Sequence, residues 1–192
     1  MNRQCNCTLS KVTQRYLAVY CRILDEMGRG MTGAILTDSI SQNFIVQMIP
    51  HHRAAIEMSE NILQYTTCIP LQRIAEGIVA EQTQSITDLE AALPICSMEN
   101  NSAQDLCLYR QQVDRIIGTM LTAMDSACAN NNVNADFMRE MIPHHQGAVE
   151  LSETALCYPI CSGLRPILDT IITSQSKGIC QMQQLLNSMG DN

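Results

Sequence analysis

The feature that most constrains the fold of this chain is an internal repeat. Residues 43–60 read NFIVQMIPHHRAAIEMSE, and residues 136–153 read DFMREMIPHHQGAVELSE. The same 93-residue offset, from position 51 to position 144, relates matching residues far outside these two segments. Upstream of the motif, Tyr16, Arg22, Ile23, Met27 and Met31 recur as Tyr109, Arg115, Ile116, Met120 and Met124. We therefore expect a single domain over residues 1–192, built from two similar units at about 11–98 and 104–192.

Each unit carries apolar residues at helical spacing. Between residues 71 and 93 they recur at intervals that form one stripe of a helix, and the same pattern predicts helices over about 43–65 and 11–32. Aromatic residues are only 4% of the chain and Trp is absent, which disfavours a β-sandwich. The sequence predicts an all-α, antiparallel bundle of two three-helix units without a β-sheet.

Capping residues and helix breakers predict where the helices end. Asn43 and Asp136 are the expected N-caps of the second helix of each unit, with Asp38 or Ser41 as alternatives in the first unit. We expect breaks at 28–30, at 66–70 and at 94–102, where glycine, proline or polar residues cluster.

Pro50 and its counterpart Pro143 lie inside the second helix of each unit, just before a His-His pair. A proline in a helix interior removes one backbone hydrogen bond and kinks the helix. Strain that occurs twice beside the same polar pair indicates a site. The alternative is that each proline opens a new helical segment at its first position, where proline is tolerated.

All four histidines of the chain belong to the pairs His51-His52 and His144-His145. Met48 lies three and four positions before the first pair, and Met141 has the same relation to the second. Met27 and Met31, echoed by Met120 and Met124, form further pairs at helical spacing on the preceding helix. Thioether sulfur with imidazole nitrogen suits Cu(I), whereas zinc sites usually contain thiolate or carboxylate ligands. The sequence therefore predicts a copper site, although methionines at such spacing also serve as core filler.

The motif Phe-x3-Met-Ile-Pro-His-His-x2-Ala-[Ile/Val]-Glu-[Met/Leu]-Ser resembles that of domain-of-unknown-function family 305. The resemblance covers about residues 16–187. It implies a ferritin-like four-helix bundle and relates the chain to methionine-rich, extracytoplasmic bacterial proteins implicated in copper binding. By this resemblance Met48, His51, His52 and Met58 are ligand candidates in the first unit, and Met141, His144 and His145 in the second. Leu151 stands where the second unit would carry the counterpart of Met58, so that copy would bind metal more weakly or use Met182.

Two other classes of function stay open. A ferritin-like metal-dependent oxidoreductase would need inward-facing Glu residues and Glu-x-x-His motifs. Glu140 precedes His144 by four positions instead of three, and its counterpart at position 47 is Gln. We therefore expect a non-enzymatic metal-binding protein that buffers, sequesters or transfers copper. The third class is a secreted structural helical module stapled by disulfides.

Ten cysteines are many for a cytosolic chain of 192 residues. Alternating helix directions would gather Cys96, Cys107, Cys157 and Cys161 at one end of the bundle, and Cys5, Cys7, Cys68 and Cys128 at the other. Cys21 and Cys180 would lie in helix bodies. These even groups lead us to expect that all ten cysteines are oxidised, and hence a secreted, periplasmic or otherwise extracytoplasmic location. The N-terminus has no signal-peptide pattern, so we expect the chain to be a mature or trimmed form.

The net charge of −7 argues against a nucleic-acid partner, and no apolar stretch is long enough for a membrane span. The expected partner is a metal ion, copper first, with another transition metal as the alternative. A second copy of the chain or a copper-donor protein is a further candidate partner.

Overall fold

The computed structural model describes residues 8–190 and shows six α-helices and no strand in that range. The helices are α1 (Lys11–Thr32), α2 (Ile40–Leu63), α3 (Ile69–Cys96), α4 (Ala103–Ser126), α5 (Val133–Leu156) and α6 (Arg165–Ser188). The prediction of an all-α fold is confirmed. None of these helices is both long and apolar enough to span a membrane.

The helices pack so that each one contacts its counterpart in the other half of the chain. Within the halves, α2 contacts α1 and α3, and α5 contacts α4 and α6. Between the halves, α2 packs on α5, α3 on α6 and α1 on α4. The central pair α2 and α5 carries the His-His segments, so these segments lie where the two halves meet.

The N-caps differ from those predicted. Ser39 caps α2 by accepting a hydrogen bond from the backbone N–H of Gln42, and Asn132 caps α5 by accepting one from Ala135. Asn43 lies one turn inside α2, where its side chain bonds both backbone groups of Thr37. Asp136 in α5 accepts the backbone N–H of Asn130 in the same way. Both side chains hydrogen bond to the loop that precedes their helix. A sequence rule that looks for a polar residue near a helix start does not distinguish this role from that of an N-cap.

Two predicted breaks are also wrong in detail. Helix α1 continues through Gly28 and Gly30 to Thr32. A Cβ atom on Gly30 would lie 2.7 Å from Cβ of Pro50, so this glycine permits close approach of α1 to α2 and does not end the helix. Helix α3 continues past Pro94 to Cys96, because proline itself has a helical φ and the loss of its one backbone hydrogen bond does not end the helix.

Pro50 and Pro143 lie well inside α2 and α5. The alternative in which each proline begins a new helix is therefore wrong. Each proline removes the hydrogen bond to the carbonyl four residues earlier, at Val46 and Arg139, one turn before the histidine pair.

The cysteines divide into oxidised and reduced groups. Cys96 at the end of α3 and Cys161 before α6 form a disulfide that joins the two halves, and both are buried. Cys68, Cys107, Cys157 and Cys180 are free thiols, so the expectation that all ten cysteines are oxidised is wrong for these four. Cys107 and Cys157 form no disulfide although helix directions place them at the same end, since a disulfide requires close Cβ atoms and not only a shared end. Cys5 and Cys7 lie outside the described residues.

This division predicts a labelling pattern under native, non-reducing conditions. Iodoacetamide should modify the exposed Cys107, Cys157 and Cys180 quickly and the half-buried Cys68 more slowly. Cys96 and Cys161 should be modified only after reduction. Peptide mass spectrometry resolves each site, and native modification of Cys96 or Cys161 would contradict the disulfide.

Candidate metal centre

The four histidines form one cluster in the centre of the bundle. The imidazoles of His51 in α2 and His144 in α5 stack with ring centroids 3.6 Å apart. His52 lies 5.8 Å from His51 between ring centroids, and His145 lies 5.9 Å from His144. All four side chains are buried. The two pairs, which the sequence could assign to one site or to two, thus meet at a single helix–helix contact.

The stacked pair is joined by reciprocal hydrogen bonds. Nε2 of His51 lies 3.2 Å from the backbone oxygen of His144, and Nε2 of His144 lies 3.1 Å from the backbone oxygen of His51. A carbonyl oxygen can only accept, so Nε2 carries the proton in both rings. A neutral ring with its proton on Nε2 has a lone pair on Nδ1.

Those Nδ1 atoms have no partner. In each of the four histidines Nδ1 is buried and bonds to no described residue. A buried nitrogen without a hydrogen bond costs free energy, in the range of about 1–3 kcal/mol for a polar group. Four such atoms lie in this one cluster, and a bound ligand would satisfy them.

Burial keeps the histidines neutral. It lowers the pKa of His51 well below 6.5, with repulsion from the neighbouring imidazoles adding to the effect. It lowers the pKa of His52 to about 3 and that of His144 to about 4, and it also lowers the pKa of His145 well below 6.5. Metal ligation requires neutral imidazole, so no proton has to leave these rings at neutral pH before a metal binds.

The two outer histidines differ in their surroundings. Nε2 of His52 lies 3.0 Å from the hydroxyl oxygen of Ser85 in α3. His145 packs against α6 at Gly178, the counterpart of Ser85, where a Cβ atom would lie 3.0 Å from Nε2. The Ser85 side chain therefore covers His52, whereas at the equivalent position only the backbone of Gly178 covers His145.

The candidate methionines are all in the core. They are at most 3% exposed, namely Met27, Met31, Met48, Met58, Met120, Met124 and Met141. Met120 packs tightly in the core, because its Sδ atom lies against Gly147, one turn beyond His144 in α5, where a Cβ atom would not fit. Met182, the substitute named for the second unit, is also fully buried. Burial keeps these thioethers away from water. It is expected both for methionines that only pack in the core and for methionines that bind a metal.

Residues 8–190 contain no group of three or more His, Cys, Asp or Glu side chains placed to bind a metal. Glu140 is the one buried glutamate in this range, and its Oε2 accepts a hydrogen bond of 2.7 Å from the hydroxyl of Tyr16. Burial and this carboxylate raise the pKa of Tyr16 well above its usual value. A metal in this cluster would therefore need thioether sulfur beside imidazole nitrogen.

Sequence reasoning missed Ser85, Gly178 and the bond between Tyr16 and Glu140. The 93-residue offset pairs Ser85 with Gly178, and this difference could have been read from the repeat. The repeat shows that Glu140 stands where the first unit has Gln47. The tyrosine that donates to Glu140 lies 124 positions away in the sequence, and no local pattern indicates that bond. Gln47 instead donates to the backbone oxygen of Met31.

The family model described as "Domain of unknown function (DUF305)" matches residues 41–186. The chain belongs to this family. The matched range covers both His-His segments and confirms the resemblance seen in the sequence. No curated protein is significantly similar to the chain.

Several solved structures are similar to the chain. CopM in its Cu(II)-bound form is 28% identical, with a TM-score of 0.60, over 78% of this chain and 97% of CopM. CopM in a silver-bound form obtained by soaking is 27% identical, with a TM-score of 0.59, over 79% and 98% of the two chains. A DUF305 fragment from Deinococcus radiodurans is 20% identical, with a TM-score of 0.57, over 78% and 96%, and it supports the fold alone.

The neutral histidines predict that the metal-free protein loses stability below neutral pH. Between pH 7 and pH 5 the unfolded chain protonates its histidines, whose pKa is near 6.5, while the folded chain does not. Each histidine should thereby lower the free energy of unfolding by about 2 kcal/mol. Because the folded-state pKa is lowered, stability is complete above pH 6.5, and the loss ends near pH 4 for His144 and near pH 3 for His52. Urea unfolding at a series of pH values measures this loss.

The His52→Gln variant is the control for that experiment. The Gln amide reaches about as far as the imidazole Nε2, so it can still bond to Ser85 but takes up no proton. The slope of unfolding free energy against pH should therefore decrease by about one proton between pH 6 and 5. An unchanged slope would show that His52 is not held neutral by the fold.

Proposed function

We propose that this protein binds copper, as Cu(I), through its buried histidines and methionines, and that it buffers, sequesters or transfers the ion without catalysing a reaction. The observation that carries the proposal is the set of four buried Nδ1 atoms without hydrogen-bond partners in the described structure. For His51 and His144 the reciprocal bonds of Nε2 leave a lone pair on Nδ1, which is the form that ligates a metal.

The ligand types favour a soft, monovalent ion. Imidazole and thioether are both neutral, so the charge of the bound ion is not compensated by its ligands. Burying one positive charge among neutral groups costs less than burying two. Silver in the soaked CopM structure is likewise a soft metal, and CopM also has a Cu(II)-bound form. This likeness supports copper binding by the present chain, and the preference for Cu(I) rests on the ligand argument.

The free thiols compete for the same metal. Thiolate binds Cu(I) more strongly than thioether, and Cys107, Cys157 and Cys180 are exposed. No cluster of three or more His, Cys, Asp or Glu side chains occurs within residues 8–190, so these thiols do not complete a site with the histidines. They would bind copper individually, and any titration must block them first.

An extracytoplasmic location is part of the proposal. The buried Cys96–Cys161 disulfide is typical of proteins outside the reducing cytosol. Thioethers form no disulfides, so these methionines stay available as copper ligands where no glutathione pool keeps thiols reduced.

The test is an anaerobic Cu(I) titration against a competing chelator after alkylation of the free thiols. Met48→Leu removes a thioether one turn before His51 and His52 with little change of volume, and it should weaken binding by about tenfold, equivalent to about 1.4 kcal/mol. Met98→Leu is the matched control, since Met98 is 73% exposed beyond the end of α3 and should leave binding unchanged.

The double variant His51→Ala with His52→Ala removes two imidazoles and should abolish tight binding. Circular dichroism should first show that it is folded. If alkylated wild-type protein binds no Cu(I) above background, the proposal is wrong and the structural helical module is favoured.

A further inference from the structure

Two surface grooves between α3 and α6 are related by the 93-residue offset. The first, which we call the His145 groove, has a volume of about 510 Å³ and is lined by Ile74, Gly77, Ile78, Glu81, Lys177 and Gly178, with His145 among the lining residues. The second, the Ser85 groove, has about 270 Å³ and is lined by the counterparts Ile167, Thr170, Ile171, Ser174, Gln84 and Ser85. The same helices thus form two similar grooves, one over each His-His pair.

Only one of these two grooves reaches a histidine. Ser85 is half-buried, and its hydroxyl lies against Nε2 of His52, so its side chain separates that ring from the Ser85 groove. Gly178 has no side chain, and His145 therefore lines the groove that bears its name. His145 is 2% exposed, while the other three histidines are 0% exposed. The difference between the grooves comes from one position of the repeat.

Gly178 is required for this arrangement. A Cβ atom there would lie 2.9 Å from Cδ2 and 3.0 Å from Nε2 of His145, which is closer than ordinary contact. The ring thus packs directly on the helix backbone. No described residue hydrogen bonds to its Nε2, and its Nδ1 is buried without a partner.

The rim of the His145 groove is basic. It carries Arg73, Glu81 and Lys177, all exposed, whereas the Ser85 groove carries Glu81 and Asp88. A basic rim attracts an anion and repels a free cation. An anionic copper complex is therefore favoured at this groove over the Ser85 groove, whose charged lining residues are both carboxylates.

We propose that the His145 groove is the route by which Cu(I) enters and leaves the buried centre, with His145 as the first protein ligand to replace the ligands of an incoming anionic Cu(I) complex. No electron is transferred in this step: one bond from copper to a donor ligand breaks and one bond from copper to imidazole nitrogen forms. The inference rests on the proposed function and adds to it a direction of access. It also gives the two halves of the chain different roles, since the His52 side is closed.

The test fills each groove in turn and measures the rate of loading. A Cβ atom added to Gly77 would meet no neighbouring atom within 4 Å, so Gly77→Trp adds bulk to the His145 groove without displacing a histidine. Thr170→Trp, at the counterpart position, fills the Ser85 groove and is the matched control. Replacing a helical glycine also favours helix formation, and Gly77→Leu provides a second, smaller variant.

Thiol-alkylated proteins are mixed anaerobically with the Cu(I)–bicinchoninate complex, which is anionic, and the loss of its colour gives the rate. Gly77→Trp should slow loading by about tenfold and leave the final stoichiometry and affinity unchanged. Gly77→Leu should slow it less, and Thr170→Trp should load at the wild-type rate.

Two outcomes would overturn the inference. If wild-type protein binds Cu(I) and Gly77→Trp loads as fast as wild type, or Thr170→Trp is slowed equally, the His145 groove is not the route, and the proposed function stands. If wild-type protein reaches no bound state at equilibrium, both the proposed function and the route are wrong.

Discussion

The structure depends on the reciprocal hydrogen bonds between His51 and His144. They join the central helices α2 and α5 where the two His-His segments meet. Each bond requires a proton on Nε2, and burial keeps both rings neutral. The same bonds thus connect the halves, select the tautomer and leave Nδ1 with a lone pair. These Nδ1 atoms have no hydrogen-bond partner among the described residues, and a buried polar atom without a partner destabilises the fold.

The repeat predicted the all-α fold and the bounds of α1 well, because periodic apolar positions at Tyr16, Ile23 and Met27 report helical packing directly. The N-caps were predicted wrongly at Asn43 and Asp136. Both side chains are polar for a local reason, but the bonds that they make reach back to Thr37 and Asn130 and become visible only when the loops are placed.

The sequence predicted which residues form the site, but not how they are arranged in space. The histidine pairs and the preceding Met48 and Met141 follow from the motif, while the stacking of His51 on His144 depends on the contact between α2 and α5. The cysteines show the same limit. Helix direction placed Cys96 and Cys161 at one end, where they do pair, and it placed Cys107 and Cys157 there as well, where they remain thiols. Position along a helix does not give the distance between two Cβ atoms.

The positions at which the two halves differ determine how the surroundings of the two histidine pairs differ. Ser85 and Gly178 occupy equivalent positions, yet one covers a histidine and the other leaves it at the floor of a groove. Similarly, Ala54 and Gly147 are counterparts, and Met120 lies against the glycine. Two similar halves therefore surround the same histidines with different access.

We conclude that Nδ1 of His51 and of His144 is unprotonated and available to ligate a metal. Long-range proton–nitrogen NMR on uniformly labelled, thiol-alkylated protein tests it directly, because the chain has only four histidines. In the metal-free protein at neutral pH, both rings should show a proton on Nε2 and none on Nδ1, and addition of Ag(I) or Cu(I) should shift the Nδ1 resonances while Nε2 stays protonated. Protonated Nδ1 atoms in the metal-free protein, or Nδ1 resonances that do not respond to either metal, would contradict the account.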